Sequence, residues 1–317
     1  MQTQSDKVTG DEWRVTSKNK ARSVFSNFKT SSAEAATRDA ETVSLSPPRG
    51  EGQGEGSETL QAAIDNAVAR AFIYRFLAKA FEDPGDEGWS ALTDASAQAA
   101  LLLTAKRVSK EVDLKRRADN LVAHLNSAKL NDFKSEYVAA FGHAARGRCP
   151  LNEIEYGDIK ADPLFQPHRL ADLAAFYSAF GLEITNDAAE RQDHVCLELE
   201  FMSVLAAKEA YALEHQLDSE QLALCRDAQK LFLREHLGRW TPAFTRRLSK
   251  MVGEESPLGA LADFTREFVA AECARFDITP GSEDLLLRPV HLADESLCDS
   301  CGIASRLPGA LQTCGET

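Results

Sequence analysis

No apolar run in this 317-residue chain approaches the roughly eighteen to twenty residues that a membrane-spanning helix needs. A transmembrane anchor is therefore not expected. The first residues also lack the succession of positive charge, apolar stretch and small residues that marks a secretion signal, so the expected location is the cytoplasm. Positive charge is in deficit: 36 Lys and Arg stand against 49 Asp and Glu, a formal net charge of -13. Binding to a phosphate backbone needs the opposite balance, so nucleic acid is not an expected partner and a basic segment is. Residues 1–56 hold eight basic and eight acidic side chains, which places the whole acidic excess in the remainder. Seven cysteines, an odd number in a chain of this length, do not make a disulfide framework. No glycine-rich phosphate loop, nucleophile elbow or zinc-protease helix is present, so nothing argues for an enzyme.

What is there is helical. Residues 1–56 carry scattered polar residues and end in Ser46-Pro47-Pro48-Arg49-Gly50, followed by alternating Glu, Gln and Gly; this extension reads as disordered. From Leu60 the pattern changes. Leu60, Ile64, Ala67, Val68, Ala71, Phe72, Arg75 and Phe76 follow the three–four spacing of a core-facing stripe. Pro84-Gly85 ends that helix. Further helices are expected over Asp94–Leu125 with a break near Val108, over Asp132–Phe141, and over Pro167–Phe180 with Gly181 as its stop. A long helix covers Val195–Leu213, and Asp218 with Gln221 resembles a capping box for Ser219–Leu237. Thr241-Pro242 and Ser256-Pro257 both read as a cap followed by proline, and open the last two helices. No strand-length alternating run stands out. The expectation is an all-α, single-domain helical bundle over 57–276, with the extension before it and an irregular tail over 277–317.

Three segments carry chemistry. Gln192-Asp193-His194 opens the long helix; the carboxylate suits a helix N-terminus, and an acid beside an imidazole can orient it or shift its pKa. His194 and Glu198 are four apart and share a face, the spacing of two metal ligands, but no third ligand is near. Capping plus a polar binding rim is the stronger reading. Leu197, Leu199, Phe201, Met202 and Leu205 read as core, whereas Glu198, Glu200 and Glu209 are expected partly on solvated faces. The second segment is the loop Arg146–Tyr156, which mixes acids and an amide with apolar and aromatic residues, as functional loops do. The third is the tail: Cys298 and Cys301 are separated by two residues, with His291 before and Cys314 after. That spacing lets two thiolates reach one zinc ion or iron–sulfur centre; a labile tail without metal is the alternative. Cys196, Cys225 and Cys273 lie inside helical patterns and read as buried free thiols. The twin arginines Arg116-Arg117 and Arg246-Arg247 are internal and read as helix faces.

These pieces resemble the TorD/DmsD/NarJ group of redox-enzyme maturation chaperones over about Leu60–Phe276. An aromatic helix end is followed by a proline-containing loop and a glutamate, here Tyr137, Phe141, Pro150, Glu153 and Tyr156. An acid–histidine pair then precedes a long helix, here Asp193 and His194, with Glu198 one turn on. Leu151-Asn152 and Gln192 stand where the family often has further prolines. The resemblance implies an all-helical cytoplasmic chaperone, a monomer by default and without turnover. Its expected partner is the apo catalytic subunit, or the twin-arginine leader, of a molybdenum-cofactor oxidoreductase of the dimethyl-sulfoxide-reductase type. It assigns client contact to Tyr137, Phe141, Pro150, Glu153, Tyr156, Asp193, His194 and Glu198, and leaves the cysteine tail unexplained. The alternatives are a metal-binding protein or metal-dependent enzyme using His194, Glu198 and the tail cysteines, and a purely structural helical adaptor.

Overall fold

The computed structural model describes residues 28–30, 54–109, 112–142, 147–157, 165–185, 190–253 and 255–288. The expected extension lies outside them apart from 28–30 and the start of the first helix, and so does the tail beyond Arg288, including His291, Cys298, Cys301 and Cys314. Ten α-helices are present among the described residues: α1 Gly54–Ala80, α2 Asp86–Thr93, α3 Ala95–Val108, α4 Val112–His124, α5 Leu130–Phe141, α6 Phe165–Ala179, α7 Val195–Glu214, α8 Ser219–Glu235, α9 Leu237–Val252 and α10 Pro257–Arg275. Among the described residues the named strands are three-residue β1, Phe28–Thr30, and β2, Leu182–Ile184, which pair antiparallel. Among the described residues no helix is long and apolar enough to cross a membrane.

Several boundaries follow the local chemistry. The Asp94 carboxylate accepts from the N–H groups of Ser96 and Ala97 and starts α3. Asp218 accepts from Gln221 and starts α8, while Ser256 accepts from Gly259 with Pro257 at the first position of α10. Gly181, with φ of 71°, takes the left-handed conformation just beyond α6.

Thr241-Pro242 does not open a helix. The helix begins earlier, at Leu237, and Pro242 lies inside it. Thr241 Oγ1 turns back to Leu237 O, so it caps nothing ahead of it. Proline cannot donate to the carbonyl four residues before it, here Gly238 O. That carbonyl is instead taken by the N–H of Gly281, from the strap that follows α10, at 2.9 Å. Gly281 has to be glycine for this approach: a Cβ there would stand 1.9 Å from Arg239 O.

The core is built around α7, which packs most extensively on α1 and also on α8. Sixteen of its twenty residues are buried, the mark of a helix surrounded on all sides. The expected solvated placement of Glu198, Glu200 and Glu209 is therefore corrected: they are 0%, 3% and 0% exposed. Glu209 is tolerated because Arg70 NH1 meets it at 2.8 Å and Arg226 and Gln229 donate to it as well. Arg70 is itself buried, forks onto Glu272 and reaches Gln229, so a polar knot ties α1 to α7, α8 and α10. The apolar stripe of α1 holds in part: Ala67 and Phe76 are buried as expected and Ile73, Tyr74 and Leu77 join them, whereas Val68 is 53% exposed and Arg75 is on the surface.

Two aromatic groups fill the interior. Phe176, Tyr177, Phe201 and Phe232 meet at ring distances of 4.8–6.5 Å between α6, α7 and α8. Phe81, Tyr137, Phe141, Tyr156, Trp240 and Phe244 form the second, at the end of the bundle where residues 149–156 cross. Cys149, Cys196, Cys225 and Cys273 are free and buried.

Candidate functional site

The residues singled out in the loop and at the start of α7 come together. Residues 151–153 run antiparallel to 193–195: Glu153 N–H donates to Asp193 O and Val195 N–H to Leu151 O, both at 2.9 Å. At its other end the loop pairs with the strap, with Gly157 N–H donating to Leu286 O and Arg288 N–H to Glu155 O. A short 3-10 turn, Glu153–Glu155, lies between these two seams.

Asp193 is fully buried. Its carboxylate accepts from Ile154 N–H at 3.2 Å and Asn152 Nδ2 at 3.1 Å, and both the Nε and the NH2 of Arg191 donate to it, the latter at 2.9 Å. It therefore fixes the loop rather than the helix. The helix cap falls to His194, whose Nδ1 accepts from Cys196 N–H. Burial, with the neighbouring Arg191 charge, pushes the His194 imidazole down to about 4. It is neutral at physiological pH, which is what an accepting cap requires.

Glu153 is also fully buried and meets three basic side chains. Its Oε2 lies 2.9 Å from His236 Nδ1, and its Oε1 accepts from Arg239 NH2 at 2.9 Å. Arg169 adds a longer contact of 3.9 Å. Burial would raise this carboxyl, but the His236 hydrogen bond and the charges of His236, Arg239 and Arg169 outweigh it and hold Glu153 below the usual carboxylate range. On the far side of His236, Asp172 Oδ2 approaches Nε2 to 3.2 Å.

The aromatic members brace this arrangement. Tyr156 OH donates to Pro150 O at 2.8 Å, closing the loop on itself, while its ring packs on Trp240 at 5.2 Å. Tyr137 OH donates to Phe81 O at 3.0 Å, and Phe141 packs against Tyr137 and Phe244. Glu198 faces the same interior: its Oε2 accepts from Trp240 Nε1 at 3.0 Å, and its Oε1 is buried without a hydrogen-bond partner. Burial, reinforced by repulsion from Glu153 and Asp193, pushes the Glu198 carboxyl well above its ordinary value despite that hydrogen bond. His194 and Glu198 thus serve different partners, a cap and a tryptophan, and do not form a joint ligand face. Among the described residues no group of three His, Cys, Asp or Glu side chains could hold a metal.

All eight residues named from the sequence are buried, whereas the arginines laid over them reach the surface, as do Asp172 and Glu190 beside His236 and His194. Arg191 is 36% exposed, Arg239 21% and Arg169 16%, and each lies over one of the buried carboxylates. Arg191 stands two residues before Asp193 and was within reach of a local reading. Arg239 and His236 follow the end of α8, and only the fold brings them to Glu153.

Comparison with known proteins gives the family. The family model described as nitrate reductase delta subunit matches residues 109–246, a span that contains the loop, the Asp193–His194 pair, His236 and Arg239. The selenate reductase assembly chaperone protein of Thauera selenatis is 30% identical over 189 residues, 60% of this chain and 81% of that protein. The chlorate reductase assembly chaperone protein of Ideonella dechloratans is 37% identical over 194 residues, again 60% and 81%. The perchlorate reductase assembly chaperone protein of Dechloromonas aromatica is 26% identical over 220 residues, 68% of this chain and 92% of that protein. No solved structure matches the chain significantly. With an all-helical body, a loop latched to the acid–histidine start of its central helix and these relatives, the chain belongs to the nitrate reductase delta subunit family, the TorD/NarJ group of redox-enzyme assembly chaperones.

Proposed function

We propose that this chaperone acts in the cytoplasm, as a monomer, on the apo catalytic subunit of a molybdenum-cofactor oxidoreductase of the dimethyl-sulfoxide-reductase type. On this reading it holds the subunit, through its twin-arginine leader, until the cofactor is inserted. The observation that carries the reading is the likeness to relatives named for assembling selenate, perchlorate and chlorate reductases. The electrostatics support it. Glu153, Glu155 and Asp193 gather three carboxylates, acceptors suited to a guanidinium, on one loop and helix start in a chain of net charge -13. Charge-assisted bonds to arginine supply specificity, and apolar contacts supply most of the affinity. No bond is made or broken in this role; binding itself is the function.

Affinity purification from the native host tests the reading. A molybdoenzyme catalytic subunit still carrying its leader should co-elute. Its absence, from cells making such an enzyme, counts against the proposal. Asp193→Ala, checked for folding by circular dichroism, should weaken binding of a synthetic twin-arginine leader. An unchanged Kd would remove Asp193 from the site.

A further inference from the structure

The carboxylates just described already hold arginines. Arg191 donates through Nε and NH2 to Asp193, and its NH2 also lies 3.4 Å from Glu155 Oε1. Arg239 contacts Glu153 Oε1 through NH2 at 2.9 Å and Nε at 3.3 Å, and its NH1 reaches Tyr156 O at 3.3 Å. Arg191 spans both Asp193 oxygens as a fork, the geometry by which a carboxylate recognises a guanidinium rather than an ammonium, and Arg239 brings two N–H groups to the single oxygen Glu153 Oε1. Both arginines reach the turn Glu153–Glu155, Arg239 through Glu153 and Arg191 through Glu155, while the main hold of Arg191 is on Asp193. In each case, the arginine is partly exposed while its acceptors are buried.

We propose that Arg191 and Arg239 are internal occupants of the client-arginine subsites, and that a client segment binds by exchanging its own guanidinium groups for theirs. The inference rests on the proposed function and adds to it a mechanism of self-occupation. Two physical points favour exchange over simple addition. A buried carboxylate left without a cation is strongly penalised, so the subsites cannot stand open while the protein waits for a client. The other contacts to these carboxylates need not break, moreover. Ile154 N–H and Asn152 Nδ2 continue to hold Asp193, and His236 continues to hold Glu153, when the arginine swings out. The acceptors therefore remain aligned, and only two partly solvated side chains move. The same geometry gives selectivity: a lysine offers one point charge in place of a fork and recovers less of what is displaced.

The test is calorimetric titration of the full chain with a synthetic leader peptide carrying two adjacent arginines, and with its twin-lysine counterpart. Arg191→Gln and Arg239→Gln should each tighten binding of the arginine peptide about fivefold or more, the worth of a released, partly exposed ion pair. Arg116→Gln, which removes an equally charged but remote surface arginine, should leave the Kd near that of the parent. Arg191→Lys keeps the charge and gives up the fork, so it should tighten binding to a smaller degree; it also serves if the glutamine variants fold poorly. Overturning results are no change, weakening, or a gain matched by Arg116→Gln, which would reduce the effect to net charge. If the parent binds the arginine peptide and the variants do not tighten it, the exchange fails and the leader-binding reading survives. If neither parent nor variants bind either peptide, both fail. Binding by the variants alone supports the exchange in its strongest form.

Discussion

Gly281 donates its backbone N–H to the carbonyl of Gly238, the acceptor that Pro242 leaves without an intrahelical donor. One bond thus repairs a helix carrying an internal proline and anchors the strap whose residues 286–288 border the site loop.

Gly281→Ala places a methyl group where Arg239 O already stands, so the strap has to lift. Leaving a buried carbonyl unpaired costs about 1–3 kcal/mol. Urea unfolding should show a loss of that order, and hydrogen exchange should quicken at Gly157, Gly281 and Arg288, whose amides depend on the seam.

Tyr156 contributes through both its ring and its hydroxyl, and the magnitudes rank them. Tyr156→Phe removes the bond to Pro150 O and should cost about 1 kcal/mol. Tyr156→Ala also removes a fully buried ring from Trp240 and Phe244, and should cost about 3–5 kcal/mol. Comparable losses for the two variants would mean that the hydroxyl, and not the packing, holds the loop.

His194 links the start of α7 to pH. Its folded value of about 4 lies below the ordinary 6.5, so between these limits the unfolded chain binds the extra proton. The contribution is complete above about 6.5 and is lost as pH falls toward about 4, amounting to about 3 kcal/mol over the full window. His194→Asn keeps a capping acceptor without that proton. Its Tm should fall less than the parent's between pH 7 and pH 4.5; parallel losses would place the acid sensitivity elsewhere.

Arg70→Ala strands Glu272 and weakens the compensation of Glu209 inside the bundle. A loss of about 3–5 kcal/mol is expected in chemical unfolding. Adding Glu272→Gln should recover part of it by removing the uncompensated charge, and a purely additive double variant would contradict the pairing.

Local signals carried much of the architecture. Asp218, Ser256-Pro257 and Gly181 act within a few residues of themselves, and the helices begin or end there. Thr241-Pro242 misled because the remedy for its proline comes from Gly281, some forty residues on. The stripe on α1 was legible in part: Ala67 and Phe76 are buried, but the burial of Arg70 rests on partners from three other helices, which no periodicity in α1 encodes. The site was legible in part. The loop and the Asp193–His194 pair could be named, but their burial, and the arginines over them, arise from pairings between distant segments.

The seams of the loop also set an order of assembly. Residues 149–157 are closed by 191–195, then by 236–244, and last by 286–288, so their contacts span increasing distances along the chain. Domains form as synthesis proceeds, and a contact cannot form before both of its partners have been made. The loop is therefore completed only once Arg288 has emerged from the ribosome, well after α1 and α7 are available to pack. A newly made chain thus finishes this loop late, after the central helices it rests on.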